Sequence, residues 1–237
     1  MAVEMNTLRS IDPDSAGTLD PQQGGFPYGM WRDTPRGVIE ALIPRLPTDV
    51  RSRTARALIQ RLLTTAAGVP APADKADSGA VIAARARQLA AMGAGMAVLD
   101  LLDATPARET VPALARTEAE VRLGENDLNG ACRVVAANFE RDTDPFWQKT
   151  MVLCQALDGA REKASLGLAL LREMGNDDPA YFTLMDGLVN GVPVVLERMP
   201  NPSPLTLAAA RVAKVPLPND VVFDDRPAIL RTVATSP

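Results

Sequence analysis

Apolar positions recur at helical spacing along most of this chain, most clearly between Asp144 and Gly175. Trp147, Met151, Cys154 and Leu157 follow at intervals of four, four and three, which places them on one face of a helix. Asp144 offers a carboxylate as an N-cap, and Pro145 has the fixed φ and missing N–H that suit the first helical position. Asp158-Gly159 interrupts the pattern. A second stripe follows, Ala160, Ala164, Leu168 and Leu171, with Gly175 placed as a left-handed C-cap. Small residues at 160, 164 and 167 allow the two helices a close approach. The pattern predicts an antiparallel helical hairpin turning at Gly159.

The rest of the chain reads as further helices around this pair. Residues 1–33 form an extended Gly/Pro-rich arm with no helical period. Thr34-Pro35 signals a start, and Val38, Leu42 and Ile43 make an apolar stripe ending at Pro47. Thr48 is placed to cap a longer helix through Leu63, with Val50, Ala57, Leu58 and Leu62 on its face. These elements define an N-terminal helical pair, 34–67. A linker at 68–79 contains GVPAPADKADS, which cannot continue a helix. A helical-repeat array is expected over 80–200 and C-terminal helices or a cap over 201–237. Within the last segment, Ser203-Pro204 starts a helix that is apolar at Leu207, Ala210 and Val212, and Val215 to Pro218 ends it. Val221 to Phe223 reads as a short extended piece, and Arg226 to Ala234 as a last half-helix covering the end of the stack. No segment alternates as a half-buried strand does, so the expected class is all-α with almost no β-structure.

The array shows a period. Asp178-Pro179 repeats the Asp144-Pro145 signal 34 residues later, and Thr110, a third cap candidate, lies 34 residues earlier. Asn126-Asp127-Leu128 leads to Ala131 as Asp158-Gly159-Ala160 leads to Ala164, and Met92-Gly93 leads to Ala97 in the same way. A helix–turn–helix period of 33 or 34 resembles the tetratricopeptide repeat. In that pattern the Trp147 region opens the first helix, Gly159 lies in the turn, Ala164 is the small residue of the second helix and Pro179 ends the unit. The chain departs from the pattern near Val152, where larger side chains stand at the closest crossing, and at Gln155, where an aromatic is expected. The resemblance implies antiparallel hairpins stacked as a short α-solenoid. The SAGTLDPQQGGF…MWRDTPR arm and the FW…CQALDG segment are also similar to an uncharacterised group of bacterial exported helical proteins. That second resemblance implies a periplasmic or otherwise exported setting and no known activity.

Composition narrows the function classes. At 237 residues with 46% hydrophobic and only 4% aromatic content, the chain has core material of the Ala, Leu and Val kind, which suits close helix packing. A net charge of −4 argues against nucleic acid as the main partner. One stretch runs the other way: Arg45, Arg51, Arg53, Arg56 and Arg61 fall together, and no acid stands between Asp49 and Asp74. Such a run is either a solvated helix face or a site for an acidic partner. No apolar run approaches the roughly 20 residues that span a bilayer. MAVEMNTLRS lacks the hydrophobic region of a signal peptide and reads as a start joined to a mature sequence. Cys132 and Cys154 fall on successive predicted helices and could be neighbours, but are read as two buried free thiols acting as small hydrophobes.

Candidate chemistry is sparse. The chain has no histidine, which removes Ser–His–Asp and Cys–His catalysis and imidazole metal sites. Phosphate loops, CxxC pairs and a GxSxG elbow are missing from the sequence. The acidic pairs Asp177-Asp178 and Asp142 with Asp144 stand where caps are needed. Asp12, Asp14 and Asp20 fall at calcium-loop spacing, but Ala16 and Gln23 occupy two ligand positions, so they read as a turn cluster. No catalytic residue, metal or cofactor is assigned. Phe26, Tyr28, Met30 and Trp31 gather within six residues of a chain poor in aromatics, and their burial predicts an arm docked along the array. Partner-binding candidates are Phe26, Tyr28, Trp31, Arg53 and Arg56. The expected function is a non-catalytic scaffold for another protein or a peptide. The alternative is a helical carrier of a lipid or other small apolar ligand.

Overall fold

The structure is a computed structural model describing residues 11–71 and 78–234. The signal-peptide reading of residues 1–10 and part of the expected linker therefore lie outside the described residues. Those residues form an all-α protein. They contain twelve α-helices and no strand, apart from an isolated parallel bridge between Leu19 and Thr65.

The chain divides into two compact units, Met1–Leu46 with Val50–Gln88 and Asp100–Leu114, and Pro47–Asp49 with Leu89–Leu99 and Ala115–Pro237. In the first unit, α1 (Arg36–Leu42) turns Arg36 and Ile39 inward, and Ile43 follows one turn on. Val38 and Leu42, expected inside, are exposed. The reason is that Arg36 is drawn into a buried ion pair with Asp14, which rotates the helix away from its aliphatic stripe. Next, α2 (Arg53–Thr64) starts five residues later than Thr48, with the Ser52 hydroxyl accepting from the Ala55 N–H at 3.3 Å. It buries Leu63 and Thr64, while Ala57 and Leu58 of the expected face are exposed. The central element is α3 (Ala80–Ala91), whose residues Val81 through Ala86 are all buried. Buried around most of its circumference, with Arg87 exposed, it behaves as an interior helix over its first two turns.

The arm is docked. Thr18 and Leu19 N–H groups donate to the Thr64 carbonyl at 2.8 and 3.2 Å, Ala66 N–H returns a bond to Leu19 O at 2.8 Å, and Gly68 N–H donates to Tyr28 O at 2.8 Å. These backbone partners lie between Thr64 and Gly68, at the end of the helical pair, and the arm reaches the expected array at its first helix, where Arg85 donates to Ala16 O at 2.7 Å and Ile82 N–H to Asp14 at 2.7 Å. A side chain at Gly17 would come within 2.1 Å of Ala66 N, so the approach requires glycine there. Residues 68–71 are also bound in place, Ala71 O accepting from Arg36 N–H at 2.9 Å.

The second unit contains the start of α4 (Gly95–Asp103), the end of α5 (Pro112–Gly124) and then α6 (Leu128–Asn138), α7 (Pro145–Leu157), α8 (Arg161–Glu173), α9 (Pro179–Asn190), α10 (Pro204–Val212), α11 (Asn219–Val222) and α12 (Pro227–Ala234). The start signals read from sequence operate: Asp144, Asp178 and Ser203 each accept from an N–H of the first turn that follows. Thr110 does not act this way. It ends a 3-10 turn, and its hydroxyl donates to Ala107 O at 2.8 Å. Val221 and Val222, expected extended, belong to the helical turn α11.

Helices α7 and α8 are separate and joined at Gly159, whose φ is +75°. Trp147, Cys154, Ala164 and Leu168 are buried, whereas Leu157 is partly exposed. The crossing depends on small residues: a side chain on Gly167 would stand 2.5 Å from Val152 Cγ2. Ala164→Leu is therefore expected to overpack this contact and cost about 1–3 kcal/mol. An unchanged urea midpoint would contradict that.

The cysteines correct the sequence reading. Cys132 on α6 and Cys154 on α7 are joined in a disulfide with Cα atoms 5.7 Å apart, not held as free thiols. The two helices pack against each other and bring the thiols face to face. Linking residues 22 apart in sequence stabilises a chain by about 3 kcal/mol on the chain-entropy account.

Candidate functional site

In the first unit the notable chemistry is internal. The Asp14 carboxylate accepts from Gly79 N–H at 3.1 Å and Ile82 N–H at 2.7 Å. It therefore caps the N-terminus of α3 from a distant point in the chain, satisfying amides that the helix leaves open. It also pairs with Arg36, which bonds Glu40 at 2.8 Å as well. Burial raises the Asp14 carboxyl above the usual carboxylate range, against the lowering pull of the Ile82 amide and Arg36.

Arg85 on α3 supplies the complementary anchor. Its guanidinium is fully buried and donates to Leu63 O at 2.7 Å, Thr65 O at 2.8 Å and Ala16 O at 2.7 Å. The first two acceptors belong to the C-terminal end of α2, where carbonyls lack intrahelical partners and a cation matches the dipole. The third belongs to the arm. Burial pushes the Arg85 guanidinium down to about 10, opposed by the charge of Asp14, and it stays protonated at neutral pH.

The sequence candidates are dispersed across this unit. Asp12 caps the Pro13–Ser15 turn and accepts from the Ser78 hydroxyl at 3.1 Å, and Asp20 caps the Pro21–Gln23 turn. The carboxylates of Asp12, Asp14 and Asp20 are thus occupied by different partners. No group of three His, Cys, Asp or Glu residues that could hold a metal occurs among the described residues. Phe26 is half-buried with the Arg61 guanidinium 4.5 Å above its ring. Tyr28 is exposed with its ring beside Gly68, and Trp31 is half-buried. Arg53 and Arg56 are exposed on the first turns of α2, where Arg56 donates to Val50 O at 2.9 Å.

Two surfaces in the second unit stand out. Leu166, Leu170 and Met174 are 73%, 53% and 52% exposed, and their four-residue spacing runs along one side of α8 to its C-cap at Met174. The opposite side of that helix is fully used by Ala164, Leu168 and Leu171. The second surface is an open cleft of about 630 Å³ lined by Leu207, Ala210, Val215, Leu217, Val222 and Val233, with Arg211 and Lys214 also at its walls. Lys214 holds a left-handed backbone, φ +55°.

Sequence reasoning missed Arg85, Arg36 and the α8 stripe. Arg85 had a readable signal, a cation inside the apolar run VIAARARQLAA. The stripe had one too, since α8 carries more large apolar residues than one buried face can absorb. Compared with known proteins, the chain matches no family model, no curated protein and no solved structure.

Proposed function

We propose that this protein is a non-catalytic interaction scaffold that binds another protein or a peptide on its helical surface. The observation that carries this reading is the row Leu166, Leu170 and Met174, three large apolar side chains left in water along one helix and its C-cap. Exposing them forgoes roughly 1.5–3 kcal/mol each relative to full burial, and rows of this kind serve as anchors for partner segments. Successive packing of α6 on α7, α7 on α8, α8 on α9 and α9 on α10 supports the helical-repeat reading. α10 also packs on α7 and α12, a closure that an open stack of repeats lacks. The disulfide supports an oxidising, exported setting.

The test is affinity capture from native extract with wild type and with Leu166→Glu/Leu170→Glu. A partner held by wild type and lost by the folded variant is expected, and identical captures by both would refute the assignment. The cleft beside α10 favours a second reading, a carrier of a small apolar ligand. Native mass spectrometry separates the two, because a carrier arrives with bound mass.

A further inference from the structure

We infer that the outward face of α2, with the turns before it, is a docking surface for an acidic protein segment, recognised through its carboxylates. This surface lies in the first unit and stands whether or not the α8 row binds anything.

Arg45, Arg51, Arg53, Arg56 and Arg61 are all exposed. None of them forms an ion pair among the described residues. Arg36, Arg116, Arg122, Arg172, Arg226 and Arg231, in contrast, are each matched to a carboxylate. Five uncompensated cations thus stand together in a chain whose net charge is −4. Arg56 and Arg61 do bond backbone carbonyls, of Val50 and Gly25, which fixes their positions and leaves their charge unneutralised. Arg53, Ala57 and Arg61 follow at four-residue spacing on the exposed side of α2, with Leu58 more than half exposed beside them.

Local electrostatics works against this arrangement. The first turn of α2 contains no acidic residue, although the positive end of a helix dipole favours acids there and disfavours cations. An anionic partner relieves that conflict, and guanidinium groups pair with carboxylates through two parallel hydrogen bonds.

The surroundings select the partner's class. A helix that lies on a membrane turns a wide apolar face outward, but α2 buries Leu63 and half-buries Ile59 and Leu62, leaving Leu58 as its exposed large aliphatic residue. Single-stranded nucleic acid needs aromatic faces on which bases stack, and among the described residues the one ring placed against these arginines, Phe26, is already covered by Arg61. An acidic peptide with an occasional apolar residue matches both the charge and Leu58.

The experiment titrates the full chain with a fluorescein-labelled peptide of repeating Glu-Asp-Leu, read by anisotropy at about 50 and about 300 mM salt, where screening differs strongly. Binding is expected at low salt and should weaken at high salt. Arg51→Glu/Arg53→Glu should bind at least about tenfold more weakly, a change typical of reversing two contact charges. Arg141→Glu/Arg161→Glu, in the second unit, should bind as wild type does. If the charge reversals unfold the protein by circular dichroism, Arg51→Gln/Arg53→Gln serves in their place with the same expected direction. Absence of peptide binding, equal binding by both double variants, or tighter binding to phosphatidylserine vesicles or to an oligonucleotide would overturn the proposal.

Discussion

Replacing Arg85 with alanine will lower the stability of the protein by about 3–5 kcal/mol, the range found when one member of a buried polar arrangement is removed. The side chain is fully buried and serves three carbonyls, those of Ala16, Leu63 and Thr65. Truncation leaves all three without a donor in a place water does not reach, and each orphaned acceptor costs about 1–3 kcal/mol. Lysine will not rescue the site. Its ammonium is a point charge that cannot reproduce the planar fork of a guanidinium. Urea unfolding of both variants checks this, and a midpoint within error of wild type for Arg85→Ala would show that the three bonds contribute nothing net.

Asp14→Ala is expected to cost about 3 kcal/mol, the lower end of the same range, because Arg36 keeps Glu40 as a second partner. The loss has two sources: a buried Arg36 guanidinium that gives up its Asp14 partner and two uncapped amides at the start of α3, those of Gly79 and Ile82. Asn at this position keeps one acceptor oxygen and should fall between alanine and wild type. The double variant Asp14→Leu/Arg36→Met removes both charges together, so it should be more stable than Asp14→Ala, as expected when an ion pair is replaced rather than broken. Urea midpoints of the three variants give the order directly. If Asp14→Ala and the double variant unfold together, the ion pair is not the source of the loss.

Local chemistry made the second unit legible. Asp144-Pro145, Asp178-Pro179 and Ser203-Pro204 each announce a helix within a few residues, and Gly159 and Gly175 hold left-handed conformations that glycine supplies at little steric cost. The first unit was read less well because its decisive contacts are remote. Nothing near Arg36 in the sequence says that Asp14, 22 positions earlier, will pull it inside and turn Val38 and Leu42 outward. The start of α2 was misplaced between two hydroxyl residues, Thr48 and Ser52, that are equally good caps by composition. Docking of the arm was anticipated from Phe26 to Trp31, yet its deepest anchors are Asp14 and the Ala16 carbonyl. Among the partner candidates, Arg53 and Arg56 remain at the surface, while Phe26 is partly consumed in packing.

The span of those anchors has a consequence for synthesis. Asp14 and Ala16 are made before the groups that hold them, from Gly79 to Arg85 at the start of α3, which lie 65 to 69 positions further along. At roughly 5–20 residues per second, the arm waits roughly 3–14 s for its seat. Ribosome-arrested nascent chains will show the interval: protease should cut the arm while α3 is still in the exit tunnel and spare it once α3 is out. Cutting that persists after α3 emerges would mean the seat is completed by helices made later still. The α2 arginines, which lie between the arm and α3, emerge within that same interval, so they meet the cytosol or a chaperone before the arm has its seat.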